Sequence, residues 1–258
     1  MDAATTPPLP PAEALPEPSS LTDRLTDVLA APGEAFDDLK GAPVRAANWI
    51  VPLVLSCIGT VIYFCLAFSQ PAILRGLQDQ REAAMQKNVA AGKMTQQQAD
   101  QAGAMTERFL TPTVMKIFGA GGGLLASVAG LFLMAVLIWL ALKWFAGSTL
   151  GYMKVVEVCG LALVIDVPQK ICRIALVAWK GNLLATVSPT LFLANASTTN
   201  RAHVFLSMID LIDIWWLAVL SLGLSKVAGI SYRTAAMVAF GVWFGFRIIA
   251  ALLTPSQP

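Results

Sequence analysis

The chain has 258 residues, 56% of them hydrophobic and only 13% charged. Soluble domains average about 25% charged residues, so this composition excludes an ordinary soluble domain. A formal net charge of +2 is too small to argue for nucleic acid as a partner.

Residues 1–18 are rich in proline, with no basic start and no apolar core of a signal peptide. They read as a disordered tail. Residues 19–45 read as amphipathic interfacial helices. Ser20 caps the first, which places Leu21, Leu25, Val28 and Leu29 on one face. Pro32-Gly33 breaks it, and a second short helix carries Phe36 and Leu39. Trp49 stands where an interfacial aromatic is expected.

Residues 46–254 read as the membrane domain. Five apolar stretches reach the roughly 20 residues that a bilayer core requires. They run over residues 49–68, 117–142, 155–178, 205–227 and 235–253. Between the first two lies a polar insert, residues 69–116, predicted to form an extramembrane helical hairpin. Gly92 interrupts it, and Thr95 with Gln98 forms a capping-box pattern for its second helix. The second stretch carries Gly119, Gly121, Gly122, Gly123, Ala126 and Gly130, and the fifth carries Gly241 and Gly245. Such small residues allow close helix packing.

Six ionisable residues fall inside the later stretches. Asp166, Lys170 and Arg173 recur at i, i+4 and i+7, so they share one helical face. Pro168 lies among them and predicts a kink. Asp210 and Asp213 share a face of the fourth stretch, and Arg247 lies in the fifth. A charge at mid-membrane costs about 2.5–3.5 kcal/mol on insertion scales. Pairing between helices satisfies this candidate charge network, with the two aspartates facing Lys170, Arg173 or Arg247. Two alternatives remain open: the basic residues snorkel to an interface, or Asp210 begins its helix at headgroup depth.

Catalytic constellations are lacking. There is one histidine, His203, and no HExxH, GxSxG or Walker pattern. No cofactor or metal site is expected. The four cysteines, Cys57, Cys65, Cys159 and Cys172, match no zinc spacing and read as buried apolar thiols. The short loops 143–154 and 226–233 each carry two basic residues and no acidic one. By the positive-inside rule this places the N-terminus in the cytoplasm and the C-terminus outside a cell membrane.

The segment from Phe205 to Ala235 has an ordered pattern: Asp210 or Asp213, then Ile214-Trp215, Gly223-Leu224 and Ser231. With Pro32, Phe36, Leu39, the Gly92-Lys93-Met94-Thr95-Gln96 turn and Tyr152, it resembles bacterial members of the YIP family, the Ypt/Rab-interacting-protein membrane domain. The resemblance spans residues 20–253. It implies five membrane helices, a cytosolic N-terminus and no enzymatic activity. For the eukaryotic relatives it implies binding of small membrane-bound GTPases, and no residue here is assigned that role. Lys170 and Arg173 depart from what a passive scaffold would carry.

The expectation is therefore an all-α polytopic protein acting as a non-enzymatic scaffold or adaptor. Membrane lipids, an unidentified membrane protein and a second copy of the chain are the candidate partners. The alternative is a transporter or channel for a small solute, ion or proton, using the intramembrane charges.

Overall fold

The computed structural model describes residues 20–109, 111–193, 201–207 and 209–253. The tail expected over residues 1–18 lies outside them. All regular structure among the described residues is helical. The helices are α1 (Leu21–Ala30), α2 (Pro32–Asp37), α3 (Ala47–Ala67), α4 (Pro71–Ala90), α5 (Gln96–Phe109), α6 (Pro112–Phe145), α7 (Tyr152–Ala162), α8 (Asp166–Lys180), α9 (Arg201–Ser207), α10 (Leu211–Ala228) and α11 (Tyr232–Leu253).

Local chemistry explains most of the boundaries. Ser20 and Asp23 bond reciprocally at the start of α1. Thr95 and Gln98 do the same at α5. Thr111 caps α6, and Pro112 occupies its first position, where the missing N–H costs nothing. Gly181 and Gly229 take left-handed conformations that stop α8 and α10.

Among the described residues, three helices are long and apolar enough to cross a membrane: α3, α6 and α10. At 34 residues, α6 is roughly 50 Å long, longer than the hydrocarbon core. The expected third stretch is divided. A 3-10 turn over Leu163–Ile165 separates α7 from α8, and neither reaches span length alone. Pro168 lies in the first turn of α8 and denies the Val164 carbonyl its helical donor. The expected fourth stretch is also shortened: α10 begins only at Leu211, because the Asp210 side chain caps it.

Helix α3 lies at the centre, packed along α6, α7 and α8, while α10 packs against α11, α7 and α2. At one end of the bundle α1 and α2 form a cap. Val28, Phe36 and Leu39 are buried in the main core, so the apolar face of this pair meets protein rather than lipid. The loops before α7 and after α10 lie at the same end, since Lys154 Nζ donates to the Ala42 carbonyl and Lys226 pairs with Asp37. At the other end, Tyr63, Phe68, Ile73 and Val177 build a smaller cluster beneath the start of α4.

Several sequence expectations are corrected here. Trp49 does not stand free on the surface: it packs edge-on to Phe132, with ring centroids 5.5 Å apart, against the core. Only Cys159 is a buried thiol, whereas Cys65 and Cys172 are on the exposed surface of the bundle. Of the glycines, Gly119 and Gly123 meet Phe64 of α3, whereas Gly121, Gly122, Gly130, Gly241 and Gly245 face open space.

The closest helix contact uses a glycine outside those patterns. A Cβ at Gly160 would lie 2.2 Å from Trp49 Cβ and 2.5 Å from Trp49 Cα. Backbone cannot rotate aside as a side-chain tip can. Gly160→Ala is expected to destabilise the fold by about 1–3 kcal/mol, as overpacking does. Gly130→Ala, in open space, should change little. Thermal unfolding of both variants in detergent checks this, and equal midpoints would refute the contact.

Candidate functional site: a charged chamber in the bundle

All six predicted intramembrane charges converge. Asp166, Lys170, Arg173, Asp210, Asp213 and Arg247 all line one polar chamber of about 370 Å³. Helical periodicity brings the first three together. The rest depends on α10 and α11 packing beside α8.

The charges are engaged in different ways. Lys170 pairs with Asp166 on its own helix, and Ser56 of α3 donates to the same carboxylate. Asp213 accepts from Arg247 Nη2 at 2.9 Å and from Gln169 Nε2 at 2.7 Å. This is the interhelical pair the sequence left unassigned. Asp210 has no ion-pair partner among the described residues. It accepts the Ile212 N–H at 2.8 Å as the N-cap of α10, so it stands at the start of its helix. Arg173 rests over the Tyr63 ring, 5.1 Å from its centroid, with no carboxylate in ion-pair range among the described residues. Arg247 has a second support, the Trp243 face at 4.8 Å.

A second chamber of about 370 Å³ adjoins the first. The two share Asp166, Gln169, Lys170, Asp213 and Arg247. Its remaining wall is mostly apolar, with Leu131, Met134, Leu137, Trp216 and Trp243. The Trp216 indole N–H is buried without an acceptor among the described residues.

Sequence reasoning missed a second polar cluster, at the capped end. Glu157 is 1% exposed and Asn48 1%. Glu157 Oε1 accepts from Asn48 Nδ2 at 2.7 Å and from the Arg45 N–H at 2.9 Å, and its Oε2 accepts from Lys154 Nζ at 2.7 Å. Arg24 Nη1 donates to Asn48 Oδ1 at 2.9 Å. The cluster therefore ties α1, α3 and α7 together. Its signal was present as Lys154 and Glu157 at i, i+3 on one helical face.

These two polar clusters sit within a chain whose residues 26–253 match the family model of the Yip1 domain. The chain belongs to the Yip1 domain family. The resemblance read from the sequence is thereby borne out. Over 146 residues the chain is also similar to a membrane protein, YknW, of Bacillus subtilis (strain 168), at 24% identity. That alignment covers 55% of this chain and 62% of the relative's length. No solved structure matches. The chain is a membrane protein of the Yip1 type.

The positions that carried the resemblance have distinct tasks in this Yip1 domain. Gly223 admits the Phe36 ring: a Cβ there would lie 2.7–2.9 Å from it. Leu224 is fully buried. Ser231 Oγ accepts the Thr234 N–H at 3.1 Å and so begins α11. Ile214 and Trp215 are exposed on the outer surface of α10.

Proposed function

We propose that this Yip1-family protein is a non-enzymatic integral membrane scaffold or adaptor that organises membrane proteins or lipids. The observation that carries this reading is the engagement of its intramembrane charges: Asp166 with Lys170 and Asp213 with Arg247. The first pair lies within α8 and the second joins α10 to α11, so both carboxylates are charge-compensated. Helices α4 and α5 add a largely exposed polar surface for a protein partner. The proposed topology has five crossings, with α7 and α8 forming one broken span and α11 the last. The N-terminal cap and the loops before α7 and after α10 then face the cytoplasm, with α4, α5 and the C-terminus outside. The shared end of the cap and those two loops supports this parity.

The test is affinity purification of the full chain in native lipid nanodiscs, beside a variant lacking residues 78–109. Residues 71–77 stay in place because Ile73, Leu74 and Leu77 belong to the smaller cluster. A near-stoichiometric protein lost with the deletion supports the adaptor. Identical partner sets in both samples contradict it.

Transport is the second reading, favoured by one observation: Asp166 and Asp213, though engaged, line two adjoining chambers. A broken helix beside a charged chamber is a pattern that transporters use. Asp213→Asn separates the two. On the scaffold reading it lowers folded yield and stability by about 1.5 kcal/mol, the low end for hydrogen bonds to charged groups, because Arg247 keeps its Trp243 contact. Flux in proteoliposomes stays at background for wild type and variant alike. A wild-type proton or cation flux that Asp213→Asn abolishes at normal yield would favour transport.

A further inference from the structure

We propose that the two adjoining chambers form one phospholipid-binding site, with the phosphate at Arg173 in the polar chamber and an acyl chain in the apolar one. The proposal goes beyond the scaffold reading and needs no protein partner.

Three observations converge on it. First, the chambers are chemically split. On one side of the shared charges stand Thr60, Arg173, Thr186 and Asp210; on the other stand Leu131, Leu137, Trp216 and Trp243. A ligand filling both must be polar at one end and apolar at the other. Each chamber falls within the roughly 300–1,000 Å³ of small-molecule sites.

Second, the polarity runs in the direction a bilayer lipid requires. The polar chamber adjoins the start of α10, at its cap Asp210, and the loop residues Leu184 and Thr186. In the proposed topology that is the end of a span. The apolar chamber lies deeper along α6 and α11, and its wall includes Leu133 and Phe246, which are also exposed on the outer apolar surface. A chain can therefore enter from the lipid side.

Third, the lining leaves one cation without a salt bridge among the described residues. Three acids and three bases line the polar chamber. Asp166 and Asp213 are each held by a cation, and Asp210 is held by a backbone N–H. Arg173 lies over the Tyr63 ring and near Asp213, but has no carboxylate within salt-bridge distance among the described residues. Its guanidinium is an exposed planar fork of donors, which suits a phosphodiester better than a point charge would. The Trp216 N–H supplies a further donor in the apolar wall for an ester carbonyl.

The experiment is native mass spectrometry of the delipidated full chain in detergent. It is titrated separately with phosphatidylethanolamine, phosphatidylglycerol, a diacylglycerol of matched chains, and inorganic phosphate. Both phospholipids should bind saturably at one per chain, and diacylglycerol at least tenfold more weakly. Inorganic phosphate should not displace them. Arg173→Gln, at an exposed position on which the fold does not rest, should weaken phospholipid binding about tenfold, to the diacylglycerol level. Arg173→Lys should fall between. Gly130→Leu, which projects into open space beside the apolar chamber, should weaken every chain-bearing ligand without lowering the unfolding temperature. Equal binding of diacylglycerol and phospholipid, unsaturable binding, or an Arg173→Gln variant that binds like wild type would overturn the proposal. Inorganic phosphate binding as tightly as lipid would instead make this a plain anion site, and would overturn it too.

Discussion

Glu157→Ala is expected to destabilise the protein by about 3–5 kcal/mol, the usual cost of removing one partner from a buried ion pair. The side chain satisfies three donors at once: Lys154 Nζ, Asn48 Nδ2 and the Arg45 N–H. Its loss leaves a largely buried ammonium without its counter-charge, and the buried Asn48 and part-buried Arg45 donors without this acceptor, each of which costs free energy. The Arg24 hydrogen bond to Asn48 is then weakened indirectly, since Asn48 is no longer oriented. Denaturation in detergent micelles, followed by intrinsic fluorescence, measures the change. Glu157→Gln should be milder, because it keeps an acceptor oxygen while removing the counter-charge of Lys154. The double variant Lys154→Met with Glu157→Leu should also cost less than Glu157→Ala, because it removes the uncompensated charge. A Glu157→Ala change within about 0.5 kcal/mol of wild type, the range of surface substitutions, would show that the cluster does not hold the cap.

Phe36→Ala is expected to cost about 3–5 kcal/mol, as buried phenylalanine truncations do, and to release the N-terminal cap. The ring is fully buried and occupies the notch left by Gly223 on α10. Neighbouring backbone cannot close that notch, so the cavity persists. The second readout is proteolysis. Lys40 and Arg45, in the exposed link after α2, should be cut by trypsin much faster in Phe36→Ala than in wild type, while sites within the bundle stay protected. Leu29→Ala, at a position already 40% exposed, is the control. Equal cleavage rates at Lys40 in all three proteins would mean that Phe36 does not pin the cap.

Both predictions concern residues that the sequence presented unequally. Phe36 was legible: its place in a short amphipathic helix required burial somewhere. That the surface covering it would be α10 rather than lipid was not legible, because an apolar face fits either. Glu157 was nearly invisible, since a single acid near the start of an apolar stretch has no periodic partner beyond Lys154. Its other ligands come from more than 100 positions away in the chain.

The chamber divides in the same way. The common face of Asp166, Lys170 and Arg173 followed from a helix repeat of 3.6 residues, and the caps at Ser20 and Thr95 followed from spacing of three. These are local relations, decided within one or two turns. The pairing of Asp213 with Arg247 rather than Lys170, the retirement of Asp210 into a cap, and the isolation of Arg173 over Tyr63 all required the relative height and rotation of neighbouring helices. No segment encodes those quantities by itself. By itself the sequence determined an all-helical membrane protein of the Yip1 type and the residues that could not lie bare in lipid. The tertiary structure decided which of them meet, because interhelical contacts depend on how glycine notches such as Gly160 and Gly223 let whole helices approach.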